Sequence, residues 1–360
     1  MTRATCAVVN LSALQHNLGV ARRAAPHSRH MAIIKANAYG HGLLPIARAL
    51  HRADAFGVAT VDEAMCLREA GLPQPIVLLE GFSSAEELHL IRAYNLQSVI
   101  HEPNQIKLLE RHNGKAVTTW LKLDTGMHRL GFEPAQCSGI LHRLLACENV
   151  EQPIKLMTHL SCADDRNSNV TLQQMGMFEK AVVSCRELQQ SIANSAGILG
   201  WPKTHGDWVR PGIMLYGASP FVDSLGAEHD LQPVMTLKSH LISVKTIKKG
   251  DKVGYGASWT APESMALGVV AIGYGDGYPR HAKSGTPVLV NQHKASLVGR
   301  VSMDMITVDL STCPDAKVGD PVVLWGDGLP VETVAKHADT IAYALLCGVT
   351  PRVKYEYIDG

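Results

Sequence analysis

An apolar run stands directly before a lysine in the stretch Met31-Ala32-Ile33-Ile34-Lys35-Ala36-Asn37-Ala38-Tyr39-Gly40-His41-Gly42. A short apolar run bounded by turn-forming residues predicts a buried strand, and the pattern of residues 43–50 predicts a helix after the loop. Lys35 therefore stands at the carboxyl end of a strand, the end that carries the chemistry in a parallel α/β barrel. A buried amine is costly unless it is paired or used chemically, so these residues alone leave a structural and a functional lysine equally open.

Composition narrows the class of protein. The chain has 360 residues, of which 46% are hydrophobic and 19% charged, as is typical of a globular protein with a substantial core. The 34 basic and 33 acidic side chains nearly cancel, so no nucleic-acid partner and no membrane association are expected. No apolar run approaches the roughly 18 residues of a membrane helix. The eight cysteines form no Cys-x-x-Cys pair, so we expect reduced thiols in a cytoplasmic protein and no bound metal.

Short apolar runs alternate with amphipathic segments through the first part of the chain. Strands are predicted at 31–34, 55–58, 75–79, 97–100, 118–123, 154–158, 191–193 and 212–216. Helices are predicted at 11–24, 62–70, 85–94, 104–111, 135–146 and 172–190. This alternation predicts parallel βαβ units, and eight such units close a (β/α)8 TIM-type barrel.

The pattern changes near residues 221–229. Beyond that point strands dominate, with predictions at 234–245, 267–272, 286–290, 295–298, 305–309 and 321–325, and a single helix at 329–338. We therefore predict an α/β fold with two domains, a barrel over residues 1–228 and a mainly β domain over residues 229–360. The first predicted strand, residues 4–9, is a candidate to pair with the second domain.

Polar residues follow several predicted barrel strands and so face the same rim. They are Asp124 to Arg129, Thr158 and His159, Asn194 and Ser195, and Arg210 with Gly212. Each has an ordinary structural explanation when taken alone, because histidines hydrogen-bond and Asp-Thr-Gly forms turns. Together, a lysine, a histidine, two arginines and a serine on one rim could hold a carbonyl cofactor and its phosphate, as pyridoxal phosphate chemistry requires.

The segment Ile33 to Gly42 resembles the pyridoxal-phosphate motif Val-x-Lys-Ala-Asn-Ala-Tyr-Gly-His-Gly of alanine racemases. Residues 121–131, 210–213, 254–256 and 299–304 resemble further motifs of the same family, in the same order and over nearly the whole chain. The chain is therefore identified as a member of the alanine racemase family, of the Gram-negative type. The resemblance implies pyridoxal 5'-phosphate as cofactor, alanine as substrate, and a homodimer whose active sites are shared between subunits.

The resemblance also implies roles for individual residues. Lys35 would form the imine with the cofactor and act as the base on the D-alanine face. Tyr255, which in this family comes from the second subunit, would be the base on the L-alanine face. Arg129 and the backbone amide of Met303 would hold the substrate carboxylate. Lys122 matches a lysine that is often carbamylated in relatives.

The remaining implied contacts concern the cofactor and the path to it. His159 would stack on the cofactor ring and bond to Tyr255, and Arg210 would face the ring nitrogen. The other implied cofactor contacts are Tyr39, Asn194, Ser195, Gly212 and Ile213, and the implied lining of the substrate corridor is Asp164, Tyr274, Arg280 and Arg300.

Two positions of the sequence depart from the pattern of the family. Pro351 stands where some relatives have a tyrosine near the phosphate, so that contact is expected to be absent or replaced, and Ser302 replaces a frequent cysteine.

Two other functions stay open, namely a broader amino-acid racemase and a barrel-type pyridoxal-phosphate decarboxylase. The decarboxylase should carry a cysteine-bearing motif in the second domain, which the sequence lacks. A role in peptidoglycan synthesis and one in alanine catabolism both fit the sequence.

Overall fold

A closed barrel of eight parallel strands forms the first part of the molecule. The structure, a computed structural model, describes residues 5–359 of the chain. The described chain begins with β1 (Cys6–Asn10), which lies outside the barrel. The barrel strands are β2 (Arg29–Ile33), β3 (Ala55–Val58), β4 (Ile76–Leu78), β5 (Gln97–Ile100), β6 (Val117–Lys122), β7 (Val150–Met157), β8 (Gln190–Ser191) and β9 (Trp208–Val209). Pairing of β9 with β2 closes the ring, and the predicted barrel fold is confirmed.

Helices follow β1 and most of the barrel strands, and several of them begin at a residue whose side chain caps the first turn. They are α1 (Leu11–Ala24), α3 (Leu43–Ala49), α4 (Val61–Glu69), α5 (Ala85–Ala93), α6 (Pro103–Arg111), α7 (Cys137–Leu145), α8 (Val170–Ala181) and α9 (Ser195–Gly200), whereas the segment labelled α2 (Lys35–Tyr39) is a left-handed turn. Asn10 caps α1, Thr60 caps α4, and Ser84 caps α5 by accepting a bond from a first-turn amide. Glu102 and Gln105 form a capping box at α6.

The eighth predicted barrel strand, 212–216, is wrong. Residues Ile213–Tyr216 form a 3-10 turn, and the strand that closes the barrel is the short β9, just before Arg210. A buried run of four apolar residues fits a strand and a helical turn equally well, so periodicity could not decide between them. The predicted helix 172–190 was also too long, because α8 ends at Ala181 and a separate 3-10 turn, Val183–Cys185, follows.

An antiparallel sheet dominates the second part of the chain. Besides β1, this sheet contains β10 (Met235–Ile247), β13 (Met265–Val270), β14 (Pro287–Val290), β15 (His293–Leu297), β16 (Ile306–Asp309), β17 (Pro321–Trp325) and β18 (Lys354–Ile358). The strands β11 (Lys252–Val253) and β12 (Trp259–Thr260) form a separate small hairpin. The first strand, β1, belongs to this sheet, where it runs antiparallel to β10 and parallel to β18. Ala4, the first residue of the strand predicted at 4–9, lies outside the described residues.

The prediction of a single helix in this domain is wrong. The helix predicted at 329–338 is observed as α10 (Val331–His337), and a second helix, α11 (Ala342–Cys347), follows it. At six residues, α11 is too short to give a clear helical period. It nevertheless matters for the site, because it packs against the turn that follows Lys35.

The barrel core explains why the predicted strands stand out in the sequence. Met31, Phe56 and Leu121 are completely buried, as expected for parallel strands whose two faces are both covered. Their apolar runs end where each strand meets the carboxyl-side rim. The first polar residue after such a run therefore faces the mouth of the barrel, and this geometry places the candidate site.

Candidate active site

The mouth of the barrel gathers four of the predicted residues from four strands. Lys35 follows β2 after one intervening residue, and Lys122 ends β6. His159 follows β7 by two residues, and Arg210 follows β9 directly. Lys35 is half-buried, whereas Lys122 and Arg210 are buried, so positively charged groups converge in a partly dry pocket.

Arg210 is held by bonds from its guanidinium to buried acceptors. Its Nη1 donates to Ser191 Oγ at 2.6 Å, and its Nη2 donates to the carbonyl oxygen of Thr158 at 2.7 Å and to Nδ1 of His159 at 3.1 Å. Burial lowers the pKa of Arg210 to about 10, so the group keeps its charge at neutral pH. Because a guanidinium only donates, Nδ1 of His159 must accept, and a neutral His159 carries its proton on Nε2.

The cations of the mouth act on one another. Burial, followed by the charges of Arg210 and Lys122, holds the pKa of His159 well below its usual range, so the ring is neutral. Burial and the charges of Arg210 and Arg129 lower the pKa of Lys122 to about 8. Asp124 acts in the opposite direction on Lys122, but its effect is the smallest of the named influences. The pocket therefore favours an anion or a neutral amine.

Arg129 lies on a loop that returns to the strand from which it starts. Asp124 Oδ1 accepts from the amides of Gly126 at 3.0 Å and His128 at 2.9 Å, and this closes the first turn of the loop. The amide of Asp124 then donates to the carbonyl of Phe132 at 2.8 Å. The exposed Arg129 side chain and the neutral His159 line one small crevice, which also includes Lys122.

A compact cradle forms where β9 gives way to the 3-10 turn. Ser195 Oγ accepts from the amide of Gly212 at 2.9 Å and from that of Met214 at 3.4 Å. A Cβ at Gly212 would lie 2.7 Å from the hydroxyl of Tyr39, so a larger residue would displace that hydroxyl. Ile213 is fully buried next to Gly212, and Asn194 caps α9 by accepting from the amide of Gly197 at 3.0 Å. The hydroxyls of Ser195 and Tyr39 meet here, beside the amides that bond to Ser195 Oγ, and hydroxyl donors at such a turn fit a phosphate group.

The predicted residues of the second domain lie together on its surface. Tyr255 is 68% exposed and begins a 3-10 turn, while Met303 is 52% exposed. Arg300 packs beneath this turn, since its Nη1 lies 3.1 Å from where a Cβ on Gly256 would be. The amide of Tyr274 donates to the carbonyl of Ser302 at 3.0 Å, and Arg280 lies over the Tyr274 ring at 6.0 Å. Large apolar side chains exposed together commonly mark a surface that meets another molecule.

Tyr343 of α11 is the residue of this region that sequence reasoning missed. Its ring packs against that of Tyr39 with centroids 5.8 Å apart. Burial and the charge of Asp164 raise the pKa of Tyr343 to about 12, which ties Asp164 to the same corner. A tyrosine therefore stands beside the cradle even though Pro351 is not one. The apolar residues Ala342, Leu345 and Leu346 span too few positions to have revealed α11 from the sequence.

Comparison with known proteins gives a single answer over both domains. Residues 9–220 match the family described as alanine racemase, N-terminal domain, and residues 234–357 match alanine racemase, C-terminal domain. The chain belongs to the alanine racemase family. The resemblance found in the sequence motifs is thereby confirmed.

Individual family members match this chain along nearly its whole length. An alanine racemase from Aeromonas hydrophila is 52% identical over 99% of this chain and 100% of its own, and one from Nitrosococcus oceani is 53% identical over 96% and 97%. The crystal structure of biosynthetic alanine racemase from Pseudomonas aeruginosa has a TM-score of 0.96 at 46% identity, covering 99% of this chain and 100% of that one. The alanine racemase structure from Acinetobacter baumannii has a TM-score of 0.93 at 37% identity, with the same coverage.

Membership of the alanine racemase family implies dependence on pyridoxal phosphate. The cradle and the cationic mouth fit that cofactor on chemical grounds, because one offers donors for a phosphate and the other offers an amine for an aldehyde. Within residues 5–359, no helix has both the length and the apolar character needed to cross a membrane.

Proposed function

We propose that this chain interconverts L-alanine and D-alanine by two-base racemisation, with Lys35 as the base on the D-alanine face. Tyr255 of the partner subunit is the base on the L-alanine face. The observation that carries the proposal is the 3.1 Å bond from Arg210 to Nδ1 of His159 inside a cationic pocket at the barrel mouth. This bond fixes the tautomer of a neutral imidazole that lies near enough to Lys35 for the charge of Lys35 to lower its pKa.

Pyridoxal phosphate is the cofactor in this proposal, and its holding residues follow from the contacts. The hydroxyls of Ser195 and Tyr39, with the backbone at Gly212 and Ile213, would hold the phosphate, and Asn194 fixes the start of α9 beside them. Lys35 would hold the aldehyde, and His159 would pack on the ring. When bound, the cofactor withdraws electrons from the substrate's α-carbon and so makes its proton removable.

Arg210 limits that electron withdrawal. It would lie at the ring nitrogen and keep its own proton, because a guanidinium gives up a proton only far above neutral pH. Arg210 would therefore supply no proton to that nitrogen. The expected result is a weaker electron sink, which favours proton return to the α-carbon over side reactions such as transamination.

Two bases on opposite faces complete the racemisation. The phenolate of Tyr255 of the partner subunit takes the α-proton of L-alanine, and Nζ of Lys35 supplies a proton to the other face. Since Arg210 occupies Nδ1 of His159, the Nε2–H is the ring group left to bond to that phenolate. Reversing both transfers converts D-alanine to L-alanine.

The substrate carboxylate is held by the Arg129 guanidinium and by the backbone amide of Met303 of the partner subunit. Lys122 lies beside Arg129 and is mostly uncharged at slightly alkaline pH, because its pKa is about 8. A neutral amine can react with carbon dioxide to form a carbamate and release a proton. The resulting anion would offset the positive charges of the mouth and orient Arg129.

The remaining predicted residues fit a corridor that leads to the mouth. Asp164 is linked to Tyr343, which borders the cradle, and Tyr274, Arg280 and Arg300 come from the second domain of the partner subunit. The proposal thus needs a homodimer, with a barrel over residues 1–228 and a β domain over residues 229–360 that serves the opposite site.

The test is chiral chromatography of L-alanine, L-serine and L-lysine after incubation with the pyridoxal-phosphate-loaded protein. L-Alanine should reach an equal mixture of both forms, and the other two amino acids should react far more slowly. Lys35→Ala should abolish the conversion, whereas Lys155→Arg, which keeps a positive charge over the Trp120 ring, should leave it intact. Failure to form D-alanine would overturn the proposal. Comparable rates on all three substrates would favour the broader racemase, and carbon dioxide release would favour the decarboxylase.

A further inference from the structure

The turn that follows Lys35 has an unusual backbone. Four consecutive residues that are not glycine, Ala36 to Tyr39, have φ values between 52° and 54°, and Gly40 follows with φ of 79°. The left-handed region is costly for residues with a Cβ, so such a run persists only where the surrounding structure determines it. This turn connects Lys35 to Tyr39, the two residues proposed to hold the aldehyde and the phosphate of the cofactor.

Local contacts secure part of the turn. The ring of His41 is completely buried, and its Nδ1 lies 2.9 Å from the carbonyl oxygen of Tyr39, to which it donates. Asn37 Oδ1 accepts from the amide of Leu43 at 2.8 Å, which joins the turn to α3. These contacts fix the shape of the turn but leave two of its outward carbonyls, those of Gly40 and His41, to be satisfied from elsewhere.

The second domain of the same chain satisfies both carbonyls. The hydroxyl of Tyr355 donates to the carbonyl oxygen of Gly40 at 2.7 Å, and that of Tyr357 donates to the carbonyl oxygen of His41 at 3.1 Å. The two tyrosines stand two residues apart on β18, so they share one face of the strand, and their rings stack at 6.4 Å. Burial raises the pKa of Tyr355 to about 12, so its hydroxyl remains a donor at physiological pH.

The turn after Lys35 and the second domain are closely packed as well as hydrogen-bonded. A Cβ on Gly40 would lie 2.1 Å from the carbonyl oxygen of Leu346 in α11, and a Cβ on Gly42 would lie 2.1 Å from the hydroxyl of Tyr357. Both glycines also have positive φ values, of 79° and 94°. The Gly-His-Gly sequence therefore allows β18 and α11 to approach the backbone of this turn directly.

We propose that Tyr355 and Tyr357 are positioning residues for Lys35, which clamp the left-handed turn to the β domain of their own chain. The inference rests on the proposed two-base function. The β domain then serves two sites: it steadies the base on the D-alanine face in its own barrel and delivers Tyr255 to the other subunit. A loosened clamp should disturb proton transfer at Lys35 more than transfer at the tyrosine from the partner.

The first test does not depend on activity. Amide hydrogen exchange of residues 36–42 is measured in pyridoxal-phosphate-loaded wild-type protein, in Tyr355→Phe/Tyr357→Phe, and in the control Tyr94→Phe. The control loses a hydroxyl bonded to Glu69 on the barrel surface. Loss of two hydrogen bonds should speed exchange in this segment by about tenfold in the double variant and not in the control. Protection equal to that of the control would overturn the proposal.

The second test separates positioning from simple stability. The exchange of the α-proton with deuterium is measured for D-alanine and for L-alanine, and the double variant should slow the D-alanine reaction about fivefold more than the L-alanine reaction. Equal losses on both substrates would indicate a merely structural role and would overturn the proposal. If the double variant does not fold, the two single variants decide by the same ratio. If the wild-type protein racemises nothing, the proposed function fails, while hydrogen exchange still decides whether the clamp exists.

Discussion

Lys122 is the cation of the barrel mouth whose pKa is lowered toward neutral pH. It is 8% exposed and is surrounded by the charges of Arg210, Arg129 and Lys35. Burial, followed by these like charges, disfavours the charged form of Lys122 and lowers its pKa to about 8. A guanidinium holds its proton far more strongly than an amine, so Lys122 loses its charge before the two arginines do.

The first prediction follows for carbamylation of Lys122. Carbon dioxide reacts with a neutral amine, so carbamate at Lys122 should increase as the pH rises through about 8, the pKa of this residue. Carbon-13 NMR of protein equilibrated with labelled bicarbonate should show one carbamate resonance. Lys122→Arg should remove it, and Lys155→Arg should not. A resonance that survives Lys122→Arg would contradict the assignment.

His41 gives a second prediction, for stability in acid. Burial lowers the pKa of His41 to about 4 in the folded protein, against 6.5 when the ring is exposed. Between these values the unfolded chain binds a proton that the folded chain does not, so stability falls as the pH drops from 6.5 toward 4. The loss should reach roughly 3 kcal/mol at the acid end.

Urea unfolding of the cofactor-loaded protein at several pH values across this window measures that effect. His41→Asn keeps a donor near the position of Nδ1 but cannot be protonated, so its stability should depend less steeply on pH. His89→Asn, on the exposed face of α5, should behave like the wild-type protein. An unchanged pH slope in His41→Asn would show that another group is responsible.

At the level of elements, the sequence predicted strands and helices well where the pattern was long or capped. The helix predicted at 11–24 is observed with the same bounds, because an Asn cap precedes a clear apolar stripe. The strand predicted at 212–216 failed, since four apolar residues carry no period that separates a strand from a 3-10 turn.

The elements around Lys35 were less accessible to sequence reasoning. The apolar run located β2 and placed Lys35 at its carboxyl end, but the left-handed turn after it depends on contacts with β18 and α11. Those partners are more than 300 residues away in the chain. Local patterns therefore found the lysine but could not find what holds it, and the same applies to Tyr343 on α11.

The loop that carries Arg129 gives a third prediction, which belongs to the scale of elements. Gly131 has φ of 132°, and a Cβ there would lie 2.6 Å from the amide nitrogen of Asp124. Gly131→Ala should push the loop away from β6 and displace Arg129, which is two residues earlier. We expect KM for alanine to rise about tenfold or more, with a smaller change in kcat.

Steady-state rates in both directions, with cofactor binding measured in parallel, check this prediction. Gly139→Ala in α7 is the matched control, because no atom lies within 4 Å of its Cβ position. That control should leave KM unchanged and gain roughly 0.5–1 kcal/mol of stability from better helix propensity. Loss of cofactor binding in Gly131→Ala would mean that the change reaches beyond Arg129.

On the scale of the whole molecule, the two groups of site residues have opposite exposure. In the barrel, Lys122, Ser195 and Arg210 are buried, whereas Tyr255 and Met303 stand out from the β domain at 68% and 52% exposure. In the proposed homodimer, each β domain completes the barrel site of the other subunit, which accounts for this contrast in exposure. Each site of the homodimer then contains one Lys35 and one Tyr255 from different chains.

That arrangement gives the fourth prediction, complementation between inactive variants. Lys35→Ala and Tyr255→Phe homodimers should each lose most activity, because every site lacks one base. After subunit exchange, a mixed dimer has one site with both bases and one with neither. Random exchange of equal amounts makes half of the dimers mixed, so activity should recover to about a quarter of the wild-type value.

The control is the same mixture assayed before the subunits have exchanged. Mass spectrometry of intact dimers can follow the exchange. Recovery should track the fraction of mixed dimers and should be absent when Lys35→Ala is mixed with a chain that carries both substitutions. A mixed dimer that forms but stays inactive would place Lys35 and Tyr255 in the same chain's site. The exposed Tyr255 would then need a conformational change to reach the barrel mouth, and the β domain would act within one subunit only.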